Sequence, residues 1–231
     1  MYYQQIKQIM TKFRCLPNFW IYKIKPTTMD YQGLKQSIEK NGYQFFDEGE
    51  LNLNFIWCRN DYHATNHFTD DLYIAYKESN IEKVLNVKCT TKPGLKGSLY
   101  NPTTVEGIKG TAVIQEGQYK GAWKFIDSYD EFSKYPFFQQ IKPINYWRDG
   151  DKDEEIDETN AQLNKIFGTH WHKMSNVGDK RKIEDFMVNN WSLGCCGAPI
   201  VEWDNVIELT RKSVKLWGNT YTGTIISKEK L

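Results

Sequence analysis

LNFIW at 53–57, LYIAYK at 72–77 and KVLNVKC at 83–89 set the character of the chain, and TAVI at 111–114, AWKFI at 122–126 and INYW at 144–147 repeat it. Each run is short, rich in β-branched and aromatic residues, and closed off by clusters of Gly, Pro, Asn and Asp, which is the pattern of strands joined by turns. From residue 51 onward the sequence therefore predicts a strand-dominated domain. One strong helix interrupts it: Trp203, Val206, Ile207, Thr210, Val214 and Trp217 recur at helical spacing over Glu202–Trp217, after a break at Pro199. YTGTIIS at 221–227 reads as a last strand.

Upstream the periodicity is helical. Ile6, Ile9, Met10 and Phe13 fall on one face of a short helix within residues 1–14, and Pro17 and Pro26 then interrupt. A second helix is predicted over Asp30–Lys40, capped by Asp30, ended by Asn41-Gly42, with Leu34 and Ile38 inward. The expected organisation is an N-terminal helical appendage over 1–50 and a β-rich catalytic domain over 51–231. The class is α+β, strand-dominated, with a β-sandwich or barrel core, short N-terminal helices and one C-terminal helix.

Composition narrows the function. Of 231 residues 40% are hydrophobic and 15% aromatic, enough to bury a sizeable core. Lys and Arg total 30 against 29 Asp and Glu, so no net field draws the chain to nucleic acid or to an anionic membrane. The apolar runs are too short for a transmembrane segment. MYYQQIKQIMTKFRC lacks the continuous apolar core and cleavage site of a signal peptide, so synthesis in the cytoplasm is expected. Cysteines at 15, 58, 89, 195 and 196 are odd in number and sparse, which predicts free thiols, with a strained Cys195–Cys196 disulfide as the alternative.

Chemistry concentrates in GTHWHKMS at 168–175 and NNWSLGCCG at 189–197. A thiol becomes a nucleophile when a nearby imidazole accepts its proton and donors await the oxyanion formed on attack. If GTHWHK is a strand, His170 and His172 share one face and Trp171 takes the other. Gly194 lets a substrate carbonyl approach, and amides around Gly194 and Cys195 are the oxyanion donors. Cys195 and His172 are the catalytic candidates, with His170, Ser192 and Gly194 in support. His170, Ser175, Asn189 and Asn190 are alternatives for orienting the imidazole. Gln118, Tyr119, Trp123 and Trp191 are candidates to line a substrate groove.

The order His, then Ser-X-Gly-Cys, resembles the active-site signature of L,D-transpeptidases, with His172 at the base and Ser192, Gly194 and Cys195 in the nucleophile motif. The resemblance implies an L,D-transpeptidase-like core and a thioester formed with a peptidoglycan stem peptide. A broader resemblance runs from about Leu53 to Trp203, carried by NFIWCR at 54–59, FTDD at 68–71, TTKPG at 90–94, EGQYKGAW at 116–123, YWRDGDKD at 146–153 and WSLGC at 191–195. In these six features the chain is similar to a group of phage and prophage proteins regarded as cell-wall peptidases. That resemblance implies an endolysin-like cysteine peptidase or transpeptidase with no cofactor. It would act on stem peptides at the host cell wall, reached by holin-assisted export or by carriage in a virion.

Two other readings have their own residues. His63, His67, His170, His172, Cys195 and Cys196 offer nitrogen and sulfur ligands to a zinc-dependent hydrolase, without the usual Cys-X2–4-Cys knuckle. A virion structural or cargo protein that retains a degenerate enzyme fold is the non-enzymatic alternative, and slow alkylation of Cys195 would mark it. Separately, Asp149, Asp151, Asp153, Glu155 and Asp157 place oxygens at alternate positions as a calcium loop does. They lack its glycine at the sixth position and glutamate at the twelfth, so a solvated charged turn is expected, with weak Ca²⁺ binding as the alternative.

Overall fold

A computed structural model describes residues 29–61, 66–95, 104–105, 107–127, 135–153, 155–158, 160–175 and 186–231. The helix expected within 1–14, Cys15 and His63 lie outside them. Helix α1 spans Tyr31–Lys40, and the Asp30 carboxylate caps it by accepting the Gly33 N–H at 2.8 Å. It stops as expected: Gly42 takes the left-handed φ of +77° that ends the helix without a Cβ clash.

Among the described residues, eight strands form one sheet. In chain order they are β1 (Asn54–Arg59), β2 (Asp70–Glu78), β3 (Ile81–Cys89), β7 (Gly117–Ile126), β8 (Phe137–Gln140), β11 (Trp171–Lys173), β12 (Cys196–Ala198) and β13 (Thr220–Ser227). Their order across the sheet is β12-β11-β8-β7-β13-β1-β2-β3. The two ends meet just past β3, where Thr90 and Gly197 exchange both backbone hydrogen bonds, at 2.8 and 3.1 Å. The sheet is thus a nearly closed barrel with a narrow seam. A three-stranded sheet of β10 (Gln162–Lys165), β9 (Ile144–Asp149) and β6 (Thr111–Ile114) packs beside it, and β4 (Thr104–Val105) pairs with β5 (Ile108–Lys109). The strand-rich α+β expectation matches this architecture.

β1 is buried on both faces because alternate residues serve two cores. Phe55 and Trp57 join the main core, whereas Ile56 and Cys58 meet Tyr31, Leu34 and Ile38 of α1 on the outside. Asn54 adds a polar tie: its amide oxygen accepts the Phe46 N–H and its nitrogen donates to the Phe46 carbonyl, both at 2.7 Å.

Helix α2 runs Ile200–Trp217, two residues earlier than its periodicity suggests, because Pro199 suits the position just before a helix. Trp203, Val206, Ile207 and Thr210 face inward as read. Trp217 does not. It is 47% exposed, with its ring over Gly49 and its indole N–H donating to the Glu50 carbonyl at 2.7 Å.

Aromatic packing fills the main core. Trp123 of β7 stacks on Trp171 of β11 with ring centroids 4.2 Å apart, and Phe55 and Phe138 close around Trp171, each at 5.3 Å. Gly223 in β13 leaves room for this stack: an added Cβ would lie 2.4 Å from Trp171 and 2.9 Å from Trp123. Gly223→Ala should therefore cost about 3 kcal/mol through overpacking, seen as a lower urea midpoint at unchanged slope. An unchanged midpoint would mean that the tryptophans yield freely.

Candidate active site

β11 and β12 run parallel, with Trp171 opposite Cys196, His172 opposite Gly197 and Lys173 opposite Ala198. The Cys196 N–H donates to the His170 carbonyl at 3.1 Å, so the register carries back one step and sets His170 alongside Cys195, with His172 two residues further along. Trp171 and Cys196 are fully buried in the core. Alternation then turns His170, His172 and Cys195 to the opposite face. Cys195 and Cys196 are both free thiols that diverge from the strand start, which excludes a bond between them in this conformation.

The Cys195 thiol is half-buried against the cluster of Phe68, Met174, Phe186 and Val188, on which Trp191 also packs. It makes a long contact of 4.0 Å with the Gly168 carbonyl, and the His170 backbone N–H faces the sulfur. Burial pushes the thiol up to about 11, against that amide, which favours the thiolate. His172 shifts the other way: burial draws it down to about 4. Its Nδ1 lies 2.6 Å from the Lys173 carbonyl, which only accepts, so the hydrogen sits on Nδ1 and Nε2 carries the lone pair. The resting pair is a neutral thiol and a neutral imidazole with an acceptor nitrogen. Alkylation of Cys195 by iodoacetamide should accordingly rise about tenfold per pH unit through neutrality and level off only near 11. A plateau near pH 7 would instead reveal a preformed ion pair.

The loop before Cys195 is braced from within. Ser192 is buried, its hydroxyl donating to the Cys195 carbonyl at 2.8 Å and accepting the Gly194 N–H at 3.2 Å. Gly194 has φ +118°, and an added Cβ would sit 2.5 Å from the Ala112 carbonyl of β6. Its glycine thus serves a tight turn and a close backbone approach. Because Ser192 already takes the Gly194 N–H, the amide left for an oxyanion is that of Cys195, for which no partner exists among the described residues.

Other candidates sit elsewhere. Trp123, expected at a groove, is fully buried; its ring packs on Trp171 and its indole N–H donates to the Thr169 carbonyl at 2.8 Å. It supports the histidine strand from behind. Tyr119 donates to the Gln115 carbonyl at 2.8 Å, and Gln118 bonds both backbone groups of Gln44, so both tie β7 to neighbouring segments. Trp191 packs on the same apolar cluster as Cys195, with its ring 5.5 Å from the Lys173 ammonium, which also lies 4.7 Å from the Tyr135 ring. Ser175 accepts the Ile200 N–H at 2.6 Å and so fixes the start of α2. Asn189 pairs with Asn66 through its side chain at 2.8 Å. Asp149 is fully buried, whereas Asp151 and Asp153 are exposed, so the acidic loop is not the uniformly solvated turn expected.

Gln140 escaped the sequence reading. Its side-chain oxygen accepts the N–H groups of Phe167, Gly168 and Thr169 at 3.2, 2.9 and 3.0 Å, and its own N–H donates to His170 Nδ1 at 3.3 Å. One buried amide thereby shapes the loop whose Gly168 carbonyl meets the thiol. A polar cluster at the seam was missed as well. Arg59 donates to Thr91 Oγ1 at 3.0 Å and the Ile114 carbonyl at 2.9 Å, while Asp70 accepts the Thr91 N–H and hydroxyl at 2.8 and 2.7 Å. The fully buried Lys92 ammonium lies 2.5 Å from Asp61 and 3.4 Å from Asp70. NFIWCR, FTDD and TTKPG thus converge on the strand junction that presents Cys195.

Among the described residues no group of three or more His, Cys, Asp or Glu side chains is gathered to hold a metal ion. A cleft of about 280 Å³ bounded by Leu53, Ser213, Trp217 and Tyr221 lies at the end of α2, with none of its walls from the Cys195 loop. No protein-family model, curated protein or solved structure matches the chain.

Proposed function

We propose that the chain is a cysteine-dependent acyl-transfer enzyme acting on peptidoglycan stem peptides, with Cys195 as nucleophile and His172 as base. The observation that carries this reading is the parallel pairing of β11 with β12, which sets both side chains on one face with His172 presenting an acceptor nitrogen. His172 Nε2 takes the thiol proton as sulfur attacks an amide carbonyl, and the Cys195 N–H receives the oxyanion. The imidazolium returns its proton to the departing amine, leaving a thioester. Water resolves the thioester in a peptidase and an amine resolves it in a transpeptidase. The wall substrate, and delivery through a holin or a virion, rest on the resemblance in the six sequence features. Among the described residues no helix is long and apolar enough to cross a membrane.

The raised thiol and lowered imidazole favour one rival, a virion structural or cargo protein that keeps the architecture without turnover. Digestion of purified peptidoglycan by the native protein and by Cys195→Ala, with products identified by mass spectrometry, separates the readings. Muropeptides released only by the native protein support the cysteine enzyme. Equal release by both moves the chemistry off the thiol, with chelator sensitivity as the mark of zinc, and release by neither favours the structural role.

A further inference from the structure

At the end of β9 the chain enters the loop DGDKDEEID at 149–157. Asp149 is fully buried there, and neither carboxylate oxygen meets a hydrogen-bond donor among the described residues. Its position is fixed. β9 pairs it with Thr111 of β6, and the backbones of Gly110 and Gly150 pack beside it so closely that a Cβ on Gly110 would lie 2.7 Å from the Asp149 carbonyl. Arg148, the preceding residue, bonds the Gly110 carbonyl at 2.7 Å and lies 4.5 Å from the Phe167 ring.

The residues that follow Asp149 at alternate positions along the loop, Asp151, Asp153 and Asp157, are acidic too and bring it no counter-charge. An ionised carboxylate without a partner is strongly disfavoured in the interior, so either a proton or a cation must answer it.

We propose that the loop is a calcium site anchored on Asp149. Asp149, Asp151, Asp153 and Asp157 stand at positions one, three, five and nine, and Glu155 offers its carbonyl at seven, the alternation by which a calcium loop presents oxygens. These side chains are not gathered about one point as they stand, so the site closes on its ion, drawing exposed Asp151 and Asp153 toward the fixed Asp149. Asp157 and water complete the shell in place of a glutamate at position twelve. Oxygen-only ligands on a loop that must fold inward suit Ca²⁺ better than Mg²⁺, which demands near-ideal octahedral geometry.

The test is thermal unfolding with calorimetric titration of the full chain at pH 8, stripped with chelator and then given Ca²⁺ or Mg²⁺. Ca²⁺ at about a hundred times its Kd should raise Tm by about 5–10 °C, with a smaller response to Mg²⁺. Asp149→Asn should abolish the shift, and in chelator it should melt no lower than the native protein, since it removes an unpaired buried charge. Asp153→Asn should weaken binding about tenfold or more and leave the chelated Tm unchanged. A native Tm and heat unmoved by millimolar Ca²⁺ would overturn the site, as would a full shift retained in Asp149→Asn. Neither readout depends on wall digestion.

Discussion

Cys195→Ala and His172→Gln should each slow wall digestion by about three orders of magnitude or more, and the double variant should be no slower than either single one. The two side chains act as a unit, so losing either removes the same step. Strand register alone would nominate His170, which lies directly beside Cys195. Hydrogen bonding decides otherwise: His170 Nδ1 accepts the Gln140 N–H at 3.3 Å, so the neutral ring carries its hydrogen on Nε2. His172 has the reverse arrangement and keeps an acceptor nitrogen. His170→Gln should accordingly lose only about tenfold, through looser positioning. A dead His170→Gln beside an active His172→Gln would reassign the base. With His172 drawn down to about 4, the imidazole is neutral above that value, and the rate should show no acidic limb between pH 5 and 8.

Asp70→Ala should destabilise the fold by about 3–5 kcal/mol, lowering Tm by on the order of 10 °C. The carboxylate serves the Thr91 N–H and hydroxyl, the Asn60 N–H at 3.0 Å and the Lys92 ammonium, all at the barrel seam. Removing it leaves the buried ammonium with the Asp61 carboxylate and the Thr69 hydroxyl but one counter-charge fewer, and leaves the Thr91 amide unmatched. Against a total stability of about 5–15 kcal/mol that is a large fraction. Asp70→Asn should cost less, because its amide oxygen still accepts. If Asp70→Ala unfolds at the native midpoint, the seam is held by the Thr90–Gly197 bridge without help from the charges.

Local chemistry was legible in the sequence. Asp30 and Asn41-Gly42 bracket α1 because caps act within one turn, and the run NFIWCR forms β1 because its residues suit a pleated surface. His170 and His172 share a face, as two-residue alternation requires. What stayed hidden depends on partners far along the chain. Trp123 became core because Trp171 covers it, and Trp217 left the inner face because Glu50 offers a carbonyl to its indole. Arg59, Asp70 and Lys92 are all buried at the seam, and nothing in their local sequence marks the partners that enclose them there. Gln140 gave no signal at all, since a buried glutamine that organises three backbone amides reads like any polar residue at a strand end.

β13 lies between β1 and β7, in parallel register with a strand more than half the chain away. Its arrival joins two incomplete sheets, and ring closure over so many residues is entropically slow. Until then β1, apolar on both faces, and β7 each leave an edge of open hydrogen-bonding groups, the kind of surface on which another molecule adds a strand. The interval before residues 220–227 dock is therefore when the chain is most prone to aggregate, and yield on refolding is governed by how quickly that one strand finds its place.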